Sequence, residues 1–279
     1  MPTLVAMLQG RFRPFRLIRE GAGDGAFWLG RGLELVADWV FLVALIGATW
    51  MLTRDVPAVA LVVLARLLPR PLILLAGGAF ARRMGGNALV LLDVGRAVVA
   101  GAVALTVLGG SSGVLALGVS AAIYGVFTAL AAEGRVRLLG ALAPPTRLGE
   151  TAALDGLVAR LAYFGGPLVA TALIGLGDLR VALLASAVAS VGAAVLVAMR
   201  GGDVARSRAE QVPVTSVALR EVIGHPRLLL VAVAGLVSGA TATGLMIALL
   251  PLISSPADLG SPAVLGLLLG AVGLGTVLG

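Results

Sequence analysis

Eight apolar runs, at 27–50, 57–80, 88–108, 113–132, 157–176, 181–199, 228–252 and 262–279, constrain this chain more than any other feature. About 20 apolar residues in a helix cross the ~30 Å hydrocarbon core of a bilayer. The runs therefore predict an all-α polytopic membrane protein with eight spans, the last cut short by the end of the sequence. Composition agrees, because 59% of residues are hydrophobic, only 13% are charged and the mean hydropathy is +1.06. A soluble domain carries about a quarter charged residues, so this chain is too poor in charge to cover a water-soluble globule.

The polar stretches divide the chain into a tail at 1–26, six spans at 27–199, a linker at 200–227 and two further spans at 228–279. The segment 133–156 reads as a second long connection with a short amphipathic interfacial helix. All 21 basic residues are arginine, and their placement predicts orientation. Alternating the spans puts Arg11, Arg13, Arg16, Arg19, Arg82, Arg83, Arg135, Arg137, Arg147, Arg200, Arg206, Arg208, Arg220 and Arg227 on the side of the tail. Only Arg54 and Arg180 fall on the other. The N-terminus is thus expected in the cytoplasm, with the protein multi-pass in the cell membrane. Arginines in short loops facing anionic headgroups explain the pI of about 11.4 without a nucleic-acid partner. The absence of cysteine excludes disulfides, thiolate zinc sites and iron–sulfur clusters. The single histidine, His225 in "GHPRLL", reads as a helix start and not as a metal ligand. The basic "RFRPFRLIR" at the N-terminus reads as a cytoplasmic tail and not as a cleaved signal. No catalytic triad, zinc motif or nucleotide fingerprint is present, and "GGAFARRMGG" lacks the Gly-Lys-Ser/Thr of a phosphate loop. Neither enzymatic activity nor a cofactor is expected.

Charges inside the runs are costly, at roughly 2.5–3.5 kcal/mol each near a helix centre, and such charges usually mark pathways. Glu34 and Asp38 are four apart in "GLELVADWVFLVAL" and share one helix face. Arg66 and Arg70 repeat the spacing in the second run. At ~1.5 Å per residue, Asp38 lies ~16 Å and Arg70 ~15 Å from the tail-side ends of their runs. The two are therefore expected to pair, with Arg66 reaching toward the same pocket. A buried acid beside a second carboxylate holds a proton more readily, which makes Asp38, with Glu34, the candidate proton-coupling group. The competing reading is a static pair that fixes the first two helices together. Pro69 and Pro71 flank Arg70 and each removes a backbone donor, so a bend is expected there. Asp93 and Arg96 are expected to pair with loop arginines in a gating or structural role. Arg160, Gly166 and Pro167 read first as helix packing.

The order of these segments resembles the major facilitator superfamily, in its prokaryotic efflux-type branch of macrolide, siderophore and lysophospholipid exporters. "GLELVADWVFLVAL" is similar to the branch's first helix, "VLARLLPRPLILLAGGAFARRMGGN" to the second helix and the loop after it, and "LLDVGRAVVAG" to the third. "LGETAALDGLVARLAYFGGPLVA" resembles the entry to the fifth helix and "SPAVLGLLLGAVGLGTVLG" the eighth. The resemblance implies two six-helix halves rocking about a midplane site, of which this chain holds the first half and two helices of an incomplete second. A missing C-terminal portion is accordingly expected. Gly78, Arg83 and Gly85 match the superfamily's cytoplasmic gate loop, but Arg82 stands where that loop has an acid. An arginine accepts no hydrogen bond, so the latch made by the acid is altered. The arginine the superfamily often carries on its fourth helix is absent from "VLALGVSAAIYGVFTAL".

The resulting expectation is a secondary transporter that exports an amphipathic small molecule (drug-like, siderophore or lipid-like) in exchange for protons, with membrane lipids, the substrate, protons and the missing C-terminal portion as its partners. The alternative is a truncated, non-transporting membrane scaffold of the same fold. Arg82→Asp restores the acid of the gate loop and should favour the state closed to the cytoplasm. A cysteine placed in that loop should then react more slowly with a water-soluble thiol reagent; an unchanged rate would remove the latch argument.

Overall fold

In the computed structural model, residues 25–75, 87–108, 113–142 and 148–209 are described, together with a few positions beyond 223. The N-terminal tail, the gate loop with Gly78, Arg82, Arg83 and Gly85, and most of the last two runs lie outside the described residues. The described residues are all-helical: α1 (Gly25–Thr53), α2 (Val56–Leu67), α3 (Pro69–Leu75), α4 (Asn87–Leu108), α5 (Val114–Leu142), α6 (Leu148–Leu176) and α7 (Leu179–Ala209). With α2 and α3 counted as one span, six helices are long and apolar enough to cross a membrane.

Local chemistry sets the tight connections. Arg54 closes α1 in the left-handed region at φ 52, and its N–H donates to the Trp50 carbonyl at 2.9 Å. The Asp55 carboxylate then caps α2 by accepting from the Ala58 N–H at 3.2 Å, and Pro57 occupies the first turn, where no intrahelical donor is required. At the opposite connection only Gly177 and Asp178 separate α6 from α7. The Gly177 N–H donates to Leu173 and the Asp178 carbonyl starts the next turn by accepting from Val181.

Helix α1 is the hub. Of its most apolar stretch 61% is buried, against 22% to 44% in the other five spans. Every residue from Val40 to Thr49 is buried, as expected of a helix that is apolar all round. It packs most extensively on α7 and α6, and also on α2, α5 and α4. The outward faces are apolar as well: Leu91, Val98 and Leu105 recur every seven residues on α4, and Leu115, Val119, Ile123 and Val126 line one side of α5, all exposed. Exposed leucine and valine around an interior that contains charge is the pattern of a membrane protein.

Two expectations about the elements change. The segment 133–156 is no long connection: α5 continues to Leu142 and α6 begins at Leu148. "AAEGRVRLLGAL" contains no proline, whereas Pro144 and Pro145 follow one residue after it. Arg135 is consequently part of a long helix and not of a loop. Helix α7 likewise runs ten residues beyond the sixth apolar run, to Ala209. The second run is interrupted at Leu68, just before Pro69 and Pro71. Neither proline can donate to the carbonyl four residues back, so Ala65 and Leu67 lose their intrahelical donors.

The interruption rests on Gly125 of α5. A Cβ there would overlap the Arg66 carbonyl, a backbone atom unable to move aside cheaply. Gly125→Ala should therefore lower the unfolding free energy by about 1–3 kcal/mol, read as a drop in Tm in detergent. Gly118→Ala on the same helix, where a Cβ meets nothing within 4 Å, should be neutral or mildly stabilising; equal shifts for both would refute the contact.

Candidate functional site: a charge network in the membrane interior

Eight charged side chains from α1, α2, α4, α5 and α6 form one continuous network. Glu34 faces three guanidiniums. Arg96 Nη1 lies 2.7 Å from its Oε1, while Arg135 Nε and Arg31 Nη1 each lie 2.8 Å from its Oε2. Asp93 takes Arg96 Nη1 at 3.1 Å and Arg135 Nη2 at 2.8 Å. Asp38 takes Arg66 Nη2 at 2.6 Å, with Arg96 Nη2 further off at 3.7 Å. Asp155 holds the other edge of Arg31 at 2.9 Å. Four guanidiniums thus meet four carboxylates and the formal charge is zero. This balance is what permits so much charge at such depth.

Helical spacing assembles the network. Glu34 and Asp38 follow one another on a single face of α1, and Asp93 and Arg96 share a face of α4 at i, i+3. On α5 the buried face runs Leu117, Ala121, Tyr124, Ala131, Arg135 and Leu138, and Thr128 falls in the same series. Tyr124 stacks flat on Phe41 at 3.8 Å with planes 6° apart. Its hydroxyl accepts from Arg96 Nη2 at 3.4 Å. The Arg96 and Arg66 guanidinium carbons lie 5.2 and 5.7 Å from its ring centre, within cation–π range. Thr128 donates to Asp38 Oδ1 at 3.3 Å, and Arg96 Nη2 also donates to the Glu34 carbonyl at 3.2 Å.

The expected pair of Asp38 with Arg70 does not form. Arg66 takes the carboxylate instead, and the Arg70 side chain is exposed. Depths counted from the ends of apolar runs misplaced the two helices by one turn, because the second helix begins at Val56 and is interrupted at Leu68. Arg66 does reach the same polar centre, as expected. Asp93 pairs with Arg135, one of the arginines assigned to loops, which comes from within α5, whereas Arg96 pairs with Asp93 and Glu34 and with no loop arginine. Gly166 and Pro167 pack as expected: a Cβ on Gly166 would come within 2.5 Å of the Trp39 Cβ, and Pro167 is buried inside α6. Arg160, expected at a helix entry, lies near the middle of α6 with its side chain exposed.

Sequence reasoning missed Arg31, Tyr124, Thr128, Arg135 and Asp155. The 4-3-4 spacing of Tyr124, Thr128, Ala131 and Arg135 carries the signal, since it places a phenol, a hydroxyl and a guanidinium on one stripe of α5.

Solvent reach differs sharply within the network. Side-chain exposure is 0% at Arg96 and Asp93 and 4% at Glu34, but 21% at Asp38. Glu34, Asp93, Arg96 and Arg135 form the sealed centre, while Asp38 at one edge and Asp155, at 25%, at the other are partly open. Among the described residues no group of three or more His, Cys, Asp or Glu could hold a metal ion.

The arrangement can therefore do two things chemically: lock helices together at its sealed centre, and exchange partners at its rim. Removing Arg96 tests the first. Arg96→Met leaves Glu34 and Asp93 short of countercharge and should cost about 3–5 kcal/mol. Arg180→Met, which removes an exposed ion pair with Asp178 at 3.4 Å, should cost ~0–1 kcal/mol. Thermal unfolding in detergent ranks them, and similar Tm values would show that the network carries little stability. No protein family, curated protein or solved structure matches this chain.

Proposed function

We propose that this protein is a secondary transporter that moves an amphipathic small molecule across the cell membrane in exchange for protons, with Asp38 as the coupling carboxylate. The observation that carries the reading is the contrast between Asp38 and its neighbours. Asp38 is partly open beside the sealed Glu34, Asp93 and Arg96, and its close partner, Arg66, sits two residues before a helix interruption. A proton on Asp38 cancels the charge that holds Arg66. A cationic group of a substrate does the same. The two therefore compete for a single carboxylate, and exclusive occupancy is the physical basis of exchange. Loss of the Asp38–Arg66 pair also unties α1 from the piece of helix that ends at Leu68, which links occupancy to a shape change between two states.

The resemblance to efflux-type members of the major facilitator superfamily supports export as the direction, and the arginine asymmetry supports a cytoplasmic N-terminus. In that arrangement the network lies toward the cytoplasmic half of the bundle, as part of an inner gate. The first four spans supply every network residue except Asp155.

A second reading rests on a specific observation. The centre of the network, Arg96 with Asp93, is fully sealed and charge-balanced, as suits a permanent joint in a scaffold that moves nothing. The two readings part at Asp38. In proteoliposomes with an imposed pH gradient, Asp38→Asn should abolish proton-driven movement of a transported amphiphile while the protein still inserts. Asp93→Asn, at the sealed centre, should lower thermal stability more than Asp38→Asn does. Undiminished gradient-driven transport by Asp38→Asn would reject it as the coupling group.

A further inference from the structure

Of the network arginines, Arg66 has the least support. Its guanidinium is buried, and Asp38, at 2.6 Å, is the one acid paired with it among the described residues. Arg31, Arg96 and Arg135 each touch at least two carboxylates, and Arg96 keeps Glu34 and Asp93 whatever happens at Asp38. Beyond its one ion pair, Arg66 has a long hydrogen bond to the Asp38 carbonyl at 3.5 Å and an Nε with no acceptor. A proton on Asp38 therefore strands Arg66 first, and a stranded guanidinium in a dry interior opposes that protonation.

What remains beside Arg66 is the Tyr124 ring. The guanidinium carbon lies 5.7 Å from the ring centre, close to the ~6 Å outer limit of a cation–π contact. The contact is thus loose while the pair with Asp38 holds, and it has room to tighten once the pair breaks. The ring itself is fixed. It is fully buried, Phe41 covers one face at 3.8 Å, and its hydroxyl is tied to Arg96 Nη2 at 3.4 Å. Neighbouring positions of α5 hold the rest of the pair. Gly125 seats the Arg66 carbonyl, and Thr128 donates to the same Asp38 oxygen that Arg66 takes.

From this geometry we propose that Tyr124 is a positioning residue, whose ring takes the Arg66 guanidinium when Asp38 loses its charge and releases it when the charge returns. The inference rests on the transport reading above and deepens it, by naming what makes the neutral state of Asp38 reachable. The groups that face Asp38 are Arg66 from α2, Arg96 from α4 and Thr128 from α5, with Glu34 one turn away on α1 itself. Helices α6 and α7 supply no ion-pair partner for it among the described residues. Of these groups Arg66 alone loses its only acid on protonation. Removing the ring takes away its second partner, so Asp38 should then keep its charge to more acid pH.

The test follows Asp38 itself, in the full chain in proteoliposomes, through the protonated-carboxyl C=O band of infrared difference spectra that Asp38→Asn removes. Tyr124→Leu should move the midpoint of that band to the acid side by about one pH unit, a tenfold loss of proton affinity. Tyr124→Phe keeps the ring and should stay close to the parent. Tyr163→Leu, which removes an aromatic neighbour of Trp39 on α1, should leave the midpoint in place. Should Tyr124→Leu fail to fold, phenylalanines with increasing fluorination at position 124 preserve shape while weakening the negative face of the ring, and the midpoint should fall stepwise. An unchanged or raised midpoint in Tyr124→Leu, Tyr124→Phe matching Tyr124→Leu, or a flat fluorination series would each overturn the inference while leaving Asp38-dependent exchange standing. The expected shift in a protein that moves nothing under an imposed gradient would instead sink the transport reading and keep the role of Tyr124. A parent with no Asp38-dependent band at any pH where it stays folded would sink both.

Discussion

A guanidinium with no solvent exposure inside a bundle of spanning helices must be surrounded by carboxylates, and Arg96 is such a group. It touches Glu34 and Asp93 closely and Asp38 at longer range, so three acids from two helices converge on one cation from α4. Because the planar fork offers several donors at fixed angles, these positions are mutually dependent. Shifting α1 or α4 along its axis by one turn would strand a charge in the interior, which costs far more than a lost apolar contact. The network therefore specifies the register of α1 against α4 and, through Arg135 and Arg66, against α5 and α2.

Apolar packing does the complementary work. Toward the far end of α1, from Val40 to Thr49, neighbours surround every side chain, and Phe41 on Tyr124 joins that core to the charges. Small residues set how near the helices come: Gly30 on α1 admits Leu196 of α7, and Gly166 on α6 admits Trp39. Ser186 on α7 adds a hydrogen bond to the Ala37 carbonyl at 2.9 Å. Charge fixes which residues face one another, and small residues let the backbones close. Asp38 differs because it stands where the charged part of the core meets the accessible rim, and its close partner is carried by a helix whose hydrogen-bond ladder is interrupted two residues later.

Much of this was written in local patterns. Runs of apolar residues marked the spans, and the i, i+4 spacing of Glu34 and Asp38 put two acids on one face before any neighbour was known. The two prolines announced the interruption at Leu68. What escaped was register between helices. Counting from the ends of apolar runs chose Arg70 where Arg66 is the partner, because hydropathy locates a span only to within about a turn. Arg135 escaped for a related reason. Its segment, "AAEGRVRLLGAL", is polar enough to read as the end of a span, yet the segment is helical and tertiary partners bury Arg135 within it. An arginine in such a segment is a loop residue by composition and a core residue by pairing, and only the positions of Glu34 and Asp93 decide between the two. The gate loop, with Arg82 in place of an acid, remains an argument from the sequence pattern alone.

The central claim is that Asp38 is reachable from water while Glu34 and Ala37 on the same helix are sealed, and the absence of cysteine from the chain makes that directly measurable. The single variants Asp38→Cys and Ala37→Cys, the second at a position that is 0% exposed, can be treated in membranes with a small, charged, membrane-impermeant thiol reagent added to either side. The account predicts modification at position 38 from at least one side and none at position 37 from either. A thiol at position 38 as inert as the one at position 37 would contradict it, leaving a sealed helical joint with no path for a proton or a substrate.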